Sequence, residues 1–221
     1  MDIKQYEQQR RQVASFMTRL YDRQLTTASG GNISLRINED LFCITPSALA
    51  KGLLTFEDIA VVTIDGKNLT PQLRLSIETE MHRLILISRP DCTAIVHAHP
   101  TYVSAFTAIQ KDGKCAINTR LIAESYYILE DPVLVDYRLM GTVNLAEIAA
   151  VKAFDHDVLL LENHGAVTLG HSMLEAFDKI ELLERAAQMT VITTQMASAG
   201  YDVSPLGENR LQQLMHMKYQ K

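Results

Sequence analysis

The chain has 221 residues, 47% hydrophobic and 21% charged, a balance that suits one globular domain over residues 1–221. A formal net charge of −5, with no basic cluster interleaved with aromatics, speaks against a nucleic-acid binder. No stretch approaches about 20 apolar residues, so no membrane span is expected.

No apolar run follows Met1-Asp2-Ile3-Lys4-Gln5, so no signal peptide is expected and the default location is cytoplasmic. The three cysteines, Cys43, Cys92 and Cys115, are widely spaced and lack a CxxC pair, which speaks against a disulfide framework or a cysteine-rich zinc site.

Residues 3–24 carry Tyr6, Val13, Phe16, Met17, Leu20 and Tyr21 at helical spacing and read as a covering helix. Next, Ser29-Gly30-Gly31-Asn32-Ile33-Ser34 reads either as a tight turn or as a concavity of N–H groups and side-chain donors for an oxyanion. It lacks the GK[ST] ending of a Walker loop. Strands are expected at 41–45, entering Thr45-Pro46-Ser47, and at 59–64, closed by Asp65-Gly66-Lys67. Short strands joined by turns point to antiparallel sheet. Ser76 reads as the N-cap of a helix reaching about Ser88, with Glu78 and Glu80 in its first turn, where acids suit the helix dipole.

Residues 94–99 are an apolar strand ending in His97-Ala98-His99 before Pro100. On a strand, residues i and i+2 share a face with alpha carbons roughly 6.5–7 Å apart. The two rings are either ligands to one transition metal or polar groups solvated at a strand end. A helix is expected from Pro100 to about Ile109, stopped by Lys111-Asp112-Gly113, and loop with short strand over 115–130. A strand at 132–137, a helix from Thr142 to about Phe154 and a buried strand at 157–161 follow, the last running into Glu162-Asn163-His164-Gly165. Glycine straight after a histidine permits a sharp turn that leaves the imidazole on the rim. A strand at 166–169 precedes a long helix from the capping box Ser172–Glu175 to about Ala199. The tail has a helical piece around Leu211-Leu214-Met215.

The ordered set SGGNIS, TPS, an acid heading a helix, HAH and NHG resembles the class II aldolase/adducin family over about residues 8–200. The resemblance implies a three-layer α/β/α domain around a central, mainly antiparallel sheet. It also implies a homotetramer with active sites at subunit interfaces. It implies His97, His99 and His164 as ligands of one divalent metal, usually zinc, with Glu78 as the proton-transferring base. Phosphate binding is implied for Gly31, Asn32, Ser47 and Ser76. The activity implied is retro-aldol cleavage of a ketose 1-phosphate, such as fuculose 1-phosphate, to dihydroxyacetone phosphate and an aldehyde. Metal chelated by substrate oxygens and a carboxylate beside it meet the two needs of that chemistry. The sequence offers no lysine in an evident apolar pocket for the Schiff-base route.

Three departures stand out. Ala48 replaces the glycine usual after Ser47, Ile77 replaces a second serine, and Arg120 stands where family members place a tyrosine or glutamate about 20 residues after the HxH. Arginine is a poor general acid but a good bidentate partner for carboxylate or phosphate, so Arg120 is expected to bind an anionic group in a neighbouring subunit's site. Tyr219 matches a C-terminal tyrosine. A 4-epimerase, dehydratase or decarboxylase on a sugar phosphate or sugar acid is the alternative, and a non-enzymatic adducin-like scaffold a more distant one.

Overall fold

The computed structural model describes residues 3–111 and 113–220. Met1 and Asp2, in the stretch read for a signal peptide, and Asp112, in the expected helix stop, lie outside them.

After a 3-10 turn, α1 (Glu7–Asp22) leads to β1 (Asn32–Arg36), β2 (Leu41–Ile44) and β3 (Ala60–Thr63). Then come α2 (Thr79–Ser88), β4 (Ala94–Ala98), α3 (Thr101–Thr107), the short pair β5 (Gln110–Lys111) and β6 (Lys114–Cys115), and α4 (Ala123–Leu129). The chain closes with β7 (Val133–Val135), α5 (Val143–Ala153), β8 (Val158–Leu161), β9 (Gly165–Gly170), α6 (Met173–Ser198) and α7 (Glu208–Tyr219).

Seven strands form one sheet in the order β3-β2-β1-β4-β9-β8-β7. Every pairing in it is antiparallel except β7 with β8. Strand residues alternate between two cores, as the two-residue period of a strand requires. Ala94, Val96 and Ala98 of β4 pack with Val13, Met17 and Leu20 of α1 and Phe177, Ile180 and Leu183 of α6. Ile95 packs the other way, with Met81 and Ile85 of α2 and Leu145 and Ala149 of α5. The result is the expected α/β/α sandwich. Each fully buried aliphatic side chain contributes roughly 1.5–3 kcal/mol, so most of the stability lies in these two layers.

Two expectations are corrected. Asn32–Ser34, read as the end of a tight turn or of a donor concavity, belong to the central strand β1, paired with β2 and β4. The polar Asn32 and Ser34, which face buried polar partners, hid the strand pattern. Residues 123–129, read as loop and strand, are helix α4. Among the described residues, no helix is long and apolar enough to cross a membrane.

Candidate metal centre and active site

The strand periodicity places the first two histidines. Ile95 and His97 share a face of β4, directed at the α2 layer, and His97 lies between Asn32 of β1 and Val167 of β9. His99 stands one residue past the strand, its N–H held by the Leu25 carbonyl at 3.0 Å. His164 sits in the turn joining β8 to β9, where Asn163 adopts φ +54° and the His164 N–H returns to Leu161 O at 3.0 Å. Close approach demands glycine on both sides of the rings. A Cβ on Gly165 would stand 2.5 Å from His99 Cδ2, and one on Gly31, at φ +68°, would stand 2.8 Å from the His97 carbonyl.

The three rings converge. Their centroids lie 4.7 Å (His97–His99), 4.8 Å (His97–His164) and 5.3 Å (His99–His164) apart, and one ligand atom from each falls within 4.8 Å of the others. His97 Nδ1 donates to the Ala166 carbonyl at 3.0 Å, which leaves the Nε2 lone pair for the centre. That Nε2 faces His99 Nε2 at 3.1 Å. Glu78 closes the group, with Oε2 at 3.2 Å from His97 Nε2 and Oε1 at 3.2 Å from His164 Nε2. Glu78 is 5% exposed, and its Oε1 is buried without a hydrogen-bond donor. Three convergent imidazole nitrogens and an orphaned carboxylate oxygen fit a divalent transition metal with an open coordination position.

Electrostatics agree. Burial works to raise the Glu78 carboxyl, but His97, the Asn32 amide and His164 outweigh it and hold the group well below the usual carboxylate range. Burial pulls His99 down to about 3 and His164 down to about 4, with His97 adding to both. For His97 itself, burial is outweighed by Glu78 and the ring is raised. An anion is thus fixed beside His97, while His99 and His164 stay neutral and able to coordinate.

A buried relay that was not anticipated aims Glu78. Ser34 Oγ meets His82 Nδ1 at 2.7 Å, His82 Nε2 meets Asn32 Oδ1 at 2.5 Å, and Asn32 Nδ2 donates to Glu78 Oε2 at 2.7 Å. Burial pulls His82 down to about 3, so the neutral ring accepts from the serine hydroxyl and donates to the amide oxygen. That fixes which way Asn32 points and leaves one amide N–H for a ligand. The available signal was spacing: His82 follows Glu78 by one helical turn, and Asn32 and Ser34 share a strand face.

Of the residues expected at the phosphate, Ser76 is 8% exposed and its hydroxyl accepts the Glu78 N–H at 3.3 Å. Ser76 is not the N-cap, which is Glu78 itself, because α2 begins at Thr79. Ser47 is half-buried and its N–H is held by Arg74 O at 3.0 Å. Ala48 adopts φ +61°, the left-handed region that glycine enters freely, which explains the usual glycine there. Ile77 is 52% exposed. Glu80 is tied to Arg83 by hydrogen bonds of 2.6 and 2.8 Å, the surface role expected of it.

The expectation about lysines is also corrected. Lys51 is 2% exposed, and burial pulls it down to about 8 against the opposing pull of Glu78. Within Ala50-Lys51-Gly52 no sequence signal marks it.

Arg120 and Tyr219 form a separate group. Arg120 pairs with Asp131 at 2.9 Å and Glu208 at 3.0 Å, and Tyr219 donates to Glu130 Oε1 at 2.5 Å. That hydrogen bond, with burial, pushes the Tyr219 phenol up to about 12. Glu130, Asp131 and Tyr219 border a cleft of ≈ 950 Å³ that contains none of the three histidines. Several charges lining that cleft pair with one another, Arg89 with Asp91 and Asp157, and Lys179 with Asp157 and Glu175.

Comparison with known proteins agrees with this geometry. Residues 11–191 match the family described as Class II Aldolase and Adducin N-terminal domain. The L-fuculose phosphate aldolase of Methanococcus vannielii is 39% identical over 173 residues, 78% of this chain and 90% of that protein. A 3-oxo-tetronate 4-phosphate decarboxylase of Haemophilus influenzae is 31% identical over 172 residues, 76% of this chain and 80% of the other. Among solved structures, YgbL of Klebsiella pneumoniae, described as a putative aldolase/epimerase/decarboxylase, superposes with a TM-score of 0.82 at 27% identity, covering 94% of this chain and 97% of its own.

Proposed function

We propose, for a chain that belongs to the class II aldolase and adducin family and is a lyase, that it cleaves a ketose 1-phosphate to dihydroxyacetone phosphate and an aldehyde. The observation that carries this reading is the convergence of His97, His99 and His164 on one point beside the ionised, buried Glu78. A divalent metal, zinc by preference, held by those imidazoles supplies the Lewis acid that stabilises negative charge developing on the substrate's carbonyl oxygen. Glu78 Oε1, free of donors, takes the proton of the hydroxyl next to the breaking carbon–carbon bond, while Asn32 holds Oε2. The Ser34–His82–Asn32 relay keeps the carboxylate from rotating away. Gly31, Asn32, Ser47 and Ser76 provide neutral donors for the phosphate.

Decarboxylation of a phosphorylated 3-oxo sugar acid is the second reading. The Haemophilus influenzae relative and Arg120, a partner suited to a carboxylate, favour it. In either reading we assign Arg120 and Tyr219 to the active site of a neighbouring subunit in a homotetramer. Exposed apolar side chains support such an assembly: Tyr137, Leu139 and Met140 are 54%, 61% and 57% exposed, and Gly141 abuts Ile77 beside Glu78. The test is a panel of ketose 1-phosphates and phosphorylated 3-oxo acids, with dihydroxyacetone phosphate, aldehyde and carbon dioxide measured separately. Metal-dependent release of dihydroxyacetone phosphate together with an aldehyde from a ketose 1-phosphate supports the aldolase. Carbon dioxide released from a 3-oxo acid, with no aldehyde from any ketose phosphate, replaces it with the decarboxylase; for a four-carbon 4-phosphate that reaction also leaves dihydroxyacetone phosphate. No product from any member of the panel refutes both.

A further inference from the structure

Two lysines are buried among the described residues, and their surroundings differ. Lys179, 4% exposed, donates to Asp157 at 2.7 Å, Glu175 at 2.8 Å and the Leu169 carbonyl at 2.8 Å, so all three ammonium N–H groups are used and two carboxylates balance its charge. Lys51, 2% exposed, makes one side-chain hydrogen bond, to the Pro46 carbonyl at 2.6 Å. Among the described residues no carboxylate lies within ion-pairing distance of it. Glu78 acts on it only through the field that holds its ammonium up against burial. An ammonium in that state is costly unless something supplies the missing acceptors and counter-charge.

Its place says what that is. The Lys51 N–H is held by the Ala28 carbonyl at 2.9 Å, and its Nζ by Pro46, one residue before Ser47. Lys51 therefore ties the turn carrying Gly31 and Asn32 to the turn carrying Ser47, with two ammonium N–H groups uncommitted to protein. We infer that Lys51 is the cation that binds the phosphate group of the substrate, an assignment that rests on the phosphate reading of this site. A charge-assisted donor there offsets the hydroxyl lost at Ile77 and stabilises the dianion against the chain's net charge of −5.

Calorimetric titration of the zinc-loaded protein with inorganic phosphate tests this without any turnover. Lys51→Met is expected to weaken phosphate binding at least about tenfold at unchanged zinc content. Lys51→Gln, which keeps an N–H for Pro46, is expected to do the same and serves if the methionine variant does not fold. Acetate is expected to bind wild type far more weakly than phosphate. Phosphate affinity within about twofold of wild type in the folded variants overturns the assignment and leaves the lyase reading untouched. Equal binding of acetate overturns phosphate as the group bound. Lysine-dependent phosphate binding without cleavage of any ketose phosphate keeps the assignment and refutes the proposed substrate.

Discussion

Lys51→Met removes a cation that folding takes almost wholly out of water, and its consequence for stability can be worked out from the shift of that group. The ammonium titrates at 10.5 in an unfolded chain and at about 8 when folded, because burial disfavours the charged form more than Glu78 favours it. Between those values the unfolded chain holds the proton and the folded one does not, so stability rises with pH through that window. One pKa unit is worth 1.36 kcal/mol, so this single group contributes ~3 kcal/mol of added stability between about pH 7.5 and pH 10.5. Other groups titrate there as well: burial raises Cys43 to about 12 and Cys92 to about 11, which acts in the opposite direction. The difference between wild type and variant isolates Lys51. Guanidinium unfolding of both proteins at fixed concentration, in steps from pH 7.5 to 10.5, should show wild type gaining ~3 kcal/mol relative to Lys51→Met. Parallel curves, separated by a constant amount across the range, would falsify the buried charged lysine.

Two further outcomes follow from the site. Glu78→Gln keeps the three imidazoles and an oxygen for the Asn32 amide but loses the base, so steady-state turnover should fall about 10²- to 10⁴-fold with metal content unchanged, whereas wild-type rates would remove Glu78 from the proton transfer. Arg120→Ala breaks exposed ion pairs and a contact over the Tyr126 ring at 5.5 Å within its own chain, so its melting temperature should change little while KM rises about tenfold; an unchanged KM returns Arg120 to a surface role.

Much of this arrangement was readable from residue order alone. Strands with apolar residues on both faces, such as Ile95–Val96 and Leu159–Leu160, stood out because both faces of the sheet are covered by helices. Strand β1 did not, because its Asn32 and Ser34 face buried polar partners rather than the apolar layer. Helix α4 was hidden by its brevity and by Tyr126, Tyr127 and Ile128, which suit a strand as well as a helix. The three histidines and Glu78, which the fold brings together, were singled out by the ordered resemblance to the family, with the shared strand face of His97 and His99 as the signal in the residues themselves. Lys51 was not, since its burial depends on contacts distant in sequence: the Tyr21 ring packs so closely on Gly52 that a Cβ there would stand 2.4 Å from it. The polar relay through His82 was half visible, as one helical turn beyond Glu78, but its partners depend on the pairing of β1 with β4.

The most direct measurement is metal stoichiometry set against activity. Elemental analysis of wild type, Glu78→Gln and His97→Ala, each stripped with chelator and reloaded with zinc, should give one metal per chain in the first two and none retained in the third. Cleavage should return only in reloaded wild type. Full retention of metal by His97→Ala, or cleavage by stripped wild type at the reloaded rate, contradicts the three-histidine centre beside Glu78.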